Sequence, residues 1–121
     1  MADFEKLQVW RLSRKLALAV RHATHVFPPD ERERLGMDIR KSAVSVASKI
    51  AFAAGVSARR MRLKGFQRAM HYAIRLETYM ITAHDLGYLS NDDYPELDEQ
   101  LQEIMARLRH LIRRLRESID R

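Results

Sequence analysis

An all-α fold is predicted by two observations: apolar residues recur every three or four positions along most of the chain, and only four glycines and three prolines punctuate its 121 residues. So few turn-forming residues leave room for long helices and little for the many reversals of a β fold. The balance of 46% hydrophobic and 31% charged residues is that of a globular chain. At this length a single domain over 1–121 with one core is expected.

The elements follow from the punctuation. A first helix is expected over 4–26, with Phe4, Leu12, Leu16, Ala19, Ala23 and Phe27 on its apolar stripe and Trp10 off it. Phe27-Pro28-Pro29 stops it, because proline restricts the residue before it and removes a donor. Asp30 and Glu33 have capping-box spacing and open a second helix over 30–54. Its stripe is Leu35, Ile39, Ala43, Val46, Ile50 and Ala53, and its small residues permit close approach of a neighbour. Gly55 reads as the C-terminal glycine and Ser57 as the N-cap of a third helix over 58–86. That helix carries Leu63, Phe66, Met70, Ala73, Glu77 and Met80 on its stripe, so Glu77 interrupts an apolar face. Gly87 ends it. Ser90 or Asp92 opens a fourth over 92–119, with Pro95 acceptable only in the first turn. Leu97, Leu101, Ile104, Leu108, Leu111, Leu115 and Ile119 step along that last helix. Four helices with short connections predict an antiparallel up-down-up-down bundle.

Charge is segregated along this frame. Residues 51–76 carry six basic and no acidic side chains, and 77–103 carry eight acidic and no basic ones. In the predicted topology Lys49, Arg59, Arg60, Arg62, Lys64 and Arg68 meet Arg109, Arg113, Arg114 and Arg116 at one pole, and the acidic run forms the other. Arg59, Arg60, Arg62, Lys64, Arg68, Arg109, Arg113 and Arg116 are the expected nucleic-acid contacts. Acidic helix starts and a basic end of the last helix suit the helix dipoles, but cations opening the third helix oppose its own. Two readings of the basic pole stand: a solvated face, and a surface that binds an anion. Residues 107–121 hold six arginines and no lysine. A guanidinium pairs with phosphate through two parallel bonds where an ammonium cannot, which favours the second reading.

Little else in the sequence carries chemistry. No cysteine is present, which removes disulfides, thiolate metal sites and thiol nucleophiles and fits a reducing cytoplasm. No apolar run is long enough to span a bilayer, and the start lacks the pattern of a signal peptide. His22 and His25 share a helix face, with His84 and Asp85 expected near the same pole, but paired Glu-x-x-His motifs are absent. Glu77 needs a partner, for which His22, Arg34 or an oligomer channel are candidates. No second acid or nucleophile converges with it, and no glycine-rich phosphate loop occurs. The expectation is a non-enzymatic protein without cofactor or metal.

"FEKLQVW", "FPPDE", "AVSVASKIA" and "DLGYLS" occur in an order and spacing that resembles the four-helix-bundle family including proteins encoded in 23S ribosomal RNA intervening sequences. The resemblance covers about residues 4–119. It implies a ring-shaped homopentamer with no established enzymatic activity. It also implies a nucleic-acid or ribonucleoprotein role, since similar basic pentamers assist a reverse transcriptase in diversity-generating retroelements. Where that family usually carries an acid, this chain has Phe52. Phe52 is therefore one expected subunit-contact residue; Trp10, off the stripe of the first helix, either packs at a bundle edge or is another. The partner expected for the basic pole is RNA or DNA, with a protein-binding scaffold as the alternative and no membrane role.

Overall fold

The structure, a computed structural model, describes residues 3–121 apart from the Phe4 side chain, so the expected place of Phe4 on the first stripe lies outside the described residues. All regular structure among the described residues is helical. Its elements are α1 (Asp3–Thr24), the one-turn α2 (Pro29–Arg32), α3 (Leu35–Gly55), α4 (Arg59–Asp85) and α5 (Asp93–Asp120). The helix expected over 30–54 is thus divided. α2 starts after Pro28 with proline at its first position and no side-chain cap, so the Asp30–Glu33 capping box does not form. Arg34 then takes φ −112° and ψ −91°, which turns the chain before α3. Arg40 holds this corner: its guanidinium donates to the Thr24 hydroxyl and to the Arg32 carbonyl, both at 3.1 Å. Gly36 permits the corner to close, because a Cβ there would lie 3.3 Å from the Glu31 carbonyl oxygen and 3.4 Å from the Phe27 ring.

The other boundaries divide between expectation and correction. Gly87 has φ 81° and ends α4 in a Schellman arrangement, with Tyr88 N–H donating to Ala83 O at 2.8 Å and Gly87 N–H to His84 O at 3.0 Å. Gly55 is the last residue of α3, as expected, but without the positive φ of Gly87, and extended Val56 follows it. Ala58 rather than Ser57 precedes α4, without a side-chain cap. Before α5, the Ser90 hydroxyl accepts the Asp93 N–H at 2.9 Å, and Pro95 sits in the first turn.

α1 packs on α3 and α5, and α4 packs on α3 and α5, so the four long helices surround one core. α5 buries Leu97, Leu101, Ile104, Met105, Leu108, Leu111, Ile112 and Leu115, close to the predicted stripe. On α1 the buried line runs through Val9, Ser13, Leu16, Val20 and Ala23, with Leu12 and Ala19 only half-buried at its edge. Ser13 is tolerated there because its hydroxyl donates to Val9 O at 2.8 Å. On α4 the buried set is Gly65, Phe66, Ala69, Ala73, Leu76, Met80 and Ala83. Leu76, not Glu77, holds the core position, and Glu77 flanks it. Gly65 marks the closest helix contact: a Cβ on it would come within 2.7 Å of the Ala53 Cβ.

Candidate nucleic-acid interface

The start of α4 and the end of α5 bring cations together, and the structure sorts them into three groups. Arg59 and Arg62 line a cavity of about 370 Å³ with Arg114, Leu115, Glu117, Ser118 and Arg121. Arg109, Arg113 and Arg116 line a second, of about 400 Å³, together with Gln67, Met70, Ile112, Glu117 and Asp120. Arg60, Lys64 and Arg68, four residues apart along α4, are exposed and line neither of these cavities. Among the described residues the side chains of these three make no hydrogen bond or ion pair. Glu117 lines both cavities. Of the residues read from the sequence, Arg59 and Arg62 therefore line one concavity and Arg109, Arg113 and Arg116 another.

Arg59 and Arg62 already make main-chain contacts. Arg59 Nη1 donates to Ser118 O at 3.1 Å and to Ser118 Oγ at 2.8 Å. Arg62 donates to Val56 O through Nε at 3.2 Å and Nη2 at 3.0 Å. Both thus place positive charge on carbonyls at the C-terminal ends of neighbouring helices, α5 and α3, where the dipole is negative. This corrects the expectation that dipole complementarity has no part in the cations opening α4. They oppose their own helix and complement its neighbours.

Arg114 is expected at the basic pole but not among the phosphate-binding residues, and Arg121 is in neither set. Arg114 lies on α5 and Arg121 directly after its end, seven residues on. A further cavity, of about 500 Å³, lies between α1 and α5, lined by Glu5, Glu103, Ala106, Arg107, His110 and Leu111. Glu5 Oε1 is 3.5 Å from Arg114 Nη1, and Glu5 Oε2 is 3.7 Å from His110 Nε2 and makes no hydrogen bond. Sequence offered no sign of this pairing of residues more than a hundred positions apart.

At the other end Glu77 finds a partner that was not foreseen. Gln102 Nε2 donates to Glu77 Oε2 at 2.6 Å and to Asp98 Oδ1 at 3.2 Å. His84 Nε2 lies 2.8 Å from Asn91 Oδ1, and its ring stacks on Tyr94 with centroids 4.4 Å apart. Burial pushes the Tyr94 phenol up from its ordinary value, with Asp98, Glu77 and Asp85 adding to the effect. His22 and His25 are exposed, and among the described residues no three His, Asp or Glu side chains converge as a metal site.

The predicted interface residues lie on α1 and α3. Trp10 is half-buried, with the Arg14 guanidinium 5.0 Å from its ring centroid. It lines a groove with Leu7, Ala51 and Ala54, and Arg14, Ala17, Leu18, Val44, Ala47 and Ser48 line another groove between the same two helices. Phe52 is 50% exposed and Leu18 is 67% exposed. Among the described residues no helix is long and apolar enough to cross a membrane.

No curated protein sequence matches this chain. Its fold is similar to a solved structure of a Bacteroides thetaiotaomicron protein of unknown function from the S23 ribosomal protein family, with a TM-score of 0.82. The two share 17% sequence identity over 90% of this chain and 98% of that one. Residues 5–110 match the family described as 23S rRNA-intervening sequence protein. With that match covering most of its length, and with an all-helical bundle to go with it, the chain belongs to the 23S rRNA-intervening sequence protein family.

Proposed function

We propose that this chain is a non-enzymatic, oligomeric helical-bundle protein of the cytoplasm that binds RNA through the basic end of α4 and α5. The observation that carries the reading is the gathering of Arg59, Arg62, Arg109, Arg113, Arg114, Arg116 and Arg121 around two adjacent concavities. Guanidinium clusters of this kind pair with phosphates and read little base sequence. The lack of cysteine fits a reducing compartment.

The bundle is read as up-down-up-down. Support comes from the Arg59–Ser118 contact of one α4 end with one α5 end, the Glu5–Arg114 contact of α1 with α5, and the Gly65–Ala53 approach of α4 to α3. Assembly into a homo-oligomeric ring is read from the exposed apolar side chains. Leu18, Val44 and Phe52 lie on α1 and α3, and Ile74 and Ile81 lie on α4. Two unlike apolar faces suit a head-to-tail contact, which closes into a ring when the rotation permits. The number five rests on the family resemblance.

The test is RNA affinity as a function of salt. Counterion release makes log K fall linearly with log salt, with a slope of roughly −0.7 per neutralised phosphate on a single strand. Reversing Arg109, Arg113 and Arg116 to Glu, or Arg60, Lys64 and Arg68 to Glu, should weaken binding and flatten the slope. Reversing Asp92, Asp93 and Glu96 should do neither. A pull-down with and without nuclease separates the alternative: recovery of a protein partner that survives nuclease, with no RNA enriched, would replace this reading by a protein-binding scaffold.

A further inference from the structure

The cavity between the start of α4 and the end of α5 differs from the rest of the basic end in how its cations are held. Four arginines, Arg59, Arg62, Arg114 and Arg121, line about 370 Å³ around Leu115 and Ser118, with Glu117 the one acidic side chain in the lining. Two of the four are already held by hydrogen bonds. Arg59 donates one nitrogen to Ser118, and Arg62 donates Nε and Nη2 to Val56 O. A guanidinium carries five N–H groups, so each anchored side chain keeps donors for a ligand. The Ser118 hydroxyl accepts from Arg59 and retains its own hydrogen to donate. Side chains ordered before binding lose less entropy when a ligand arrives. Arg114 is shared with Glu5 at 3.5 Å, a long exposed pair that a stronger acceptor can displace.

The shape of the site limits the ligand. Its volume lies near the lower limit for small-molecule pockets, suited to one nucleotide end rather than to a strand running through. An internal phosphodiester carries one charge and two ester linkages, and its chain continues both ways. A terminal phosphate monoester carries a charge of about −1.5 to −2 at neutral pH and three free acceptor oxygens. Four arginines against one acidic side chain match the monoester better. The neighbouring cavity has a different balance, three arginines against Glu117 and Asp120 with Met70 and Ile112 in its lining.

From this we infer that the α4–α5 cavity is a seat for the terminal phosphate monoester of an RNA strand, held by Arg59, Arg62, Arg114 and the Ser118 hydroxyl. The inference rests on the RNA-binding reading above and adds to it a preference for phosphorylated strand ends.

The experiment compares one short single-stranded RNA in three forms, 5′-phosphorylated, 3′-phosphorylated and hydroxyl-ended, by fluorescence anisotropy on the full chain. A phosphorylated end should bind at least about tenfold more tightly than the hydroxyl-ended strand, the gain expected of charge-assisted bonds. Arg59→Gln and Arg114→Gln should each reduce that ratio towards one. Arg59→Lys should restore it only in part, because the ammonium lacks the planar fork. Arg60→Gln with Lys64→Gln, outside the cavity, should weaken all three strands equally and leave the ratio unchanged. Equal, measurable affinity for all three strands overturns the inference while leaving RNA binding intact. Failure of every strand to bind removes the RNA reading and the inference with it. Arg59-dependent binding of a phosphoserine peptide, with RNA ends indistinguishable, assigns the cavity to a phosphoprotein and also overturns it.

Discussion

Gly65 and Ala53 show how a single side-chain position sets helix spacing. The missing Cβ on Gly65 lets α4 approach until the space for a methyl is only 2.7 Å from the Ala53 Cβ, in a contact that is fully buried on both sides. Gly65→Ala should therefore destabilise. Overpacking costs about 1–3 kcal/mol, which outweighs the roughly 1 kcal/mol that alanine gains over glycine in a helix. Urea denaturation of Gly65→Ala, and of the same change combined with Ala53→Gly, checks this. If the double variant recovers none of the loss, the close contact is not its cause. Glu77 makes the same point about position. One residue from Leu76, it escapes the core by about a quarter of a helical turn and bonds to Gln102 instead.

Several helix ends here are completed by groups from other elements, unlike the end of α4 and the start of α5, which are closed locally. Arg40, Arg59 and Arg62 donate to carbonyls or hydroxyls of other segments, whereas α2, α3 and α4 lack side-chain N-caps of their own. Arg40 is the clearest case, since it joins Thr24 of α1 and Arg32 of α2 to α3 while partly buried. Arg40→Ala should lower stability by about 1.5–3 kcal/mol, the range for hydrogen bonds to a charged donor. The urea midpoint should fall with the slope unchanged. Arg40→Lys should recover part of the loss at most, since its point charge replaces a planar fork. A midpoint unchanged by Arg40→Ala would mean that the corner is held by Gly36 and Phe27 packing alone.

For the whole molecule, the exposed apolar side chains are the feature a monomer has most difficulty carrying. Leu18 at 67%, Val44 at 59% and Phe52 at 50% exposure lie on α1 and α3, the helices whose groove Trp10 lines. Self-association is expected to cover them. Light scattering across a micromolar dilution series should give a mass several times 14.2 kDa. Trp10→Glu and Phe52→Glu should each reduce that mass while the helical circular dichroism is kept. A monomer at every concentration, or variants that assemble normally, would reject these contacts.

Helix positions, the core stripe of α5, the Gly87 stop and the separation of charge could all be read from residue order. Each depends on local periods, on φ preference or on counting signed side chains. The break before α3, the edges of the α1 and α4 stripes and the partner of Glu77 could not, because each is settled by a neighbour distant in the chain. The same holds for the basic residues. Their presence near the start of α4 and the end of α5 was legible, but their division between two cavities depends on how α5 is rotated against α4. That rotation follows from the burial of Leu108, Leu111 and Leu115 of α5 in the core, and it leaves Arg114 and Arg121 with Arg59 and Arg62 while Arg109, Arg113 and Arg116 line the other side.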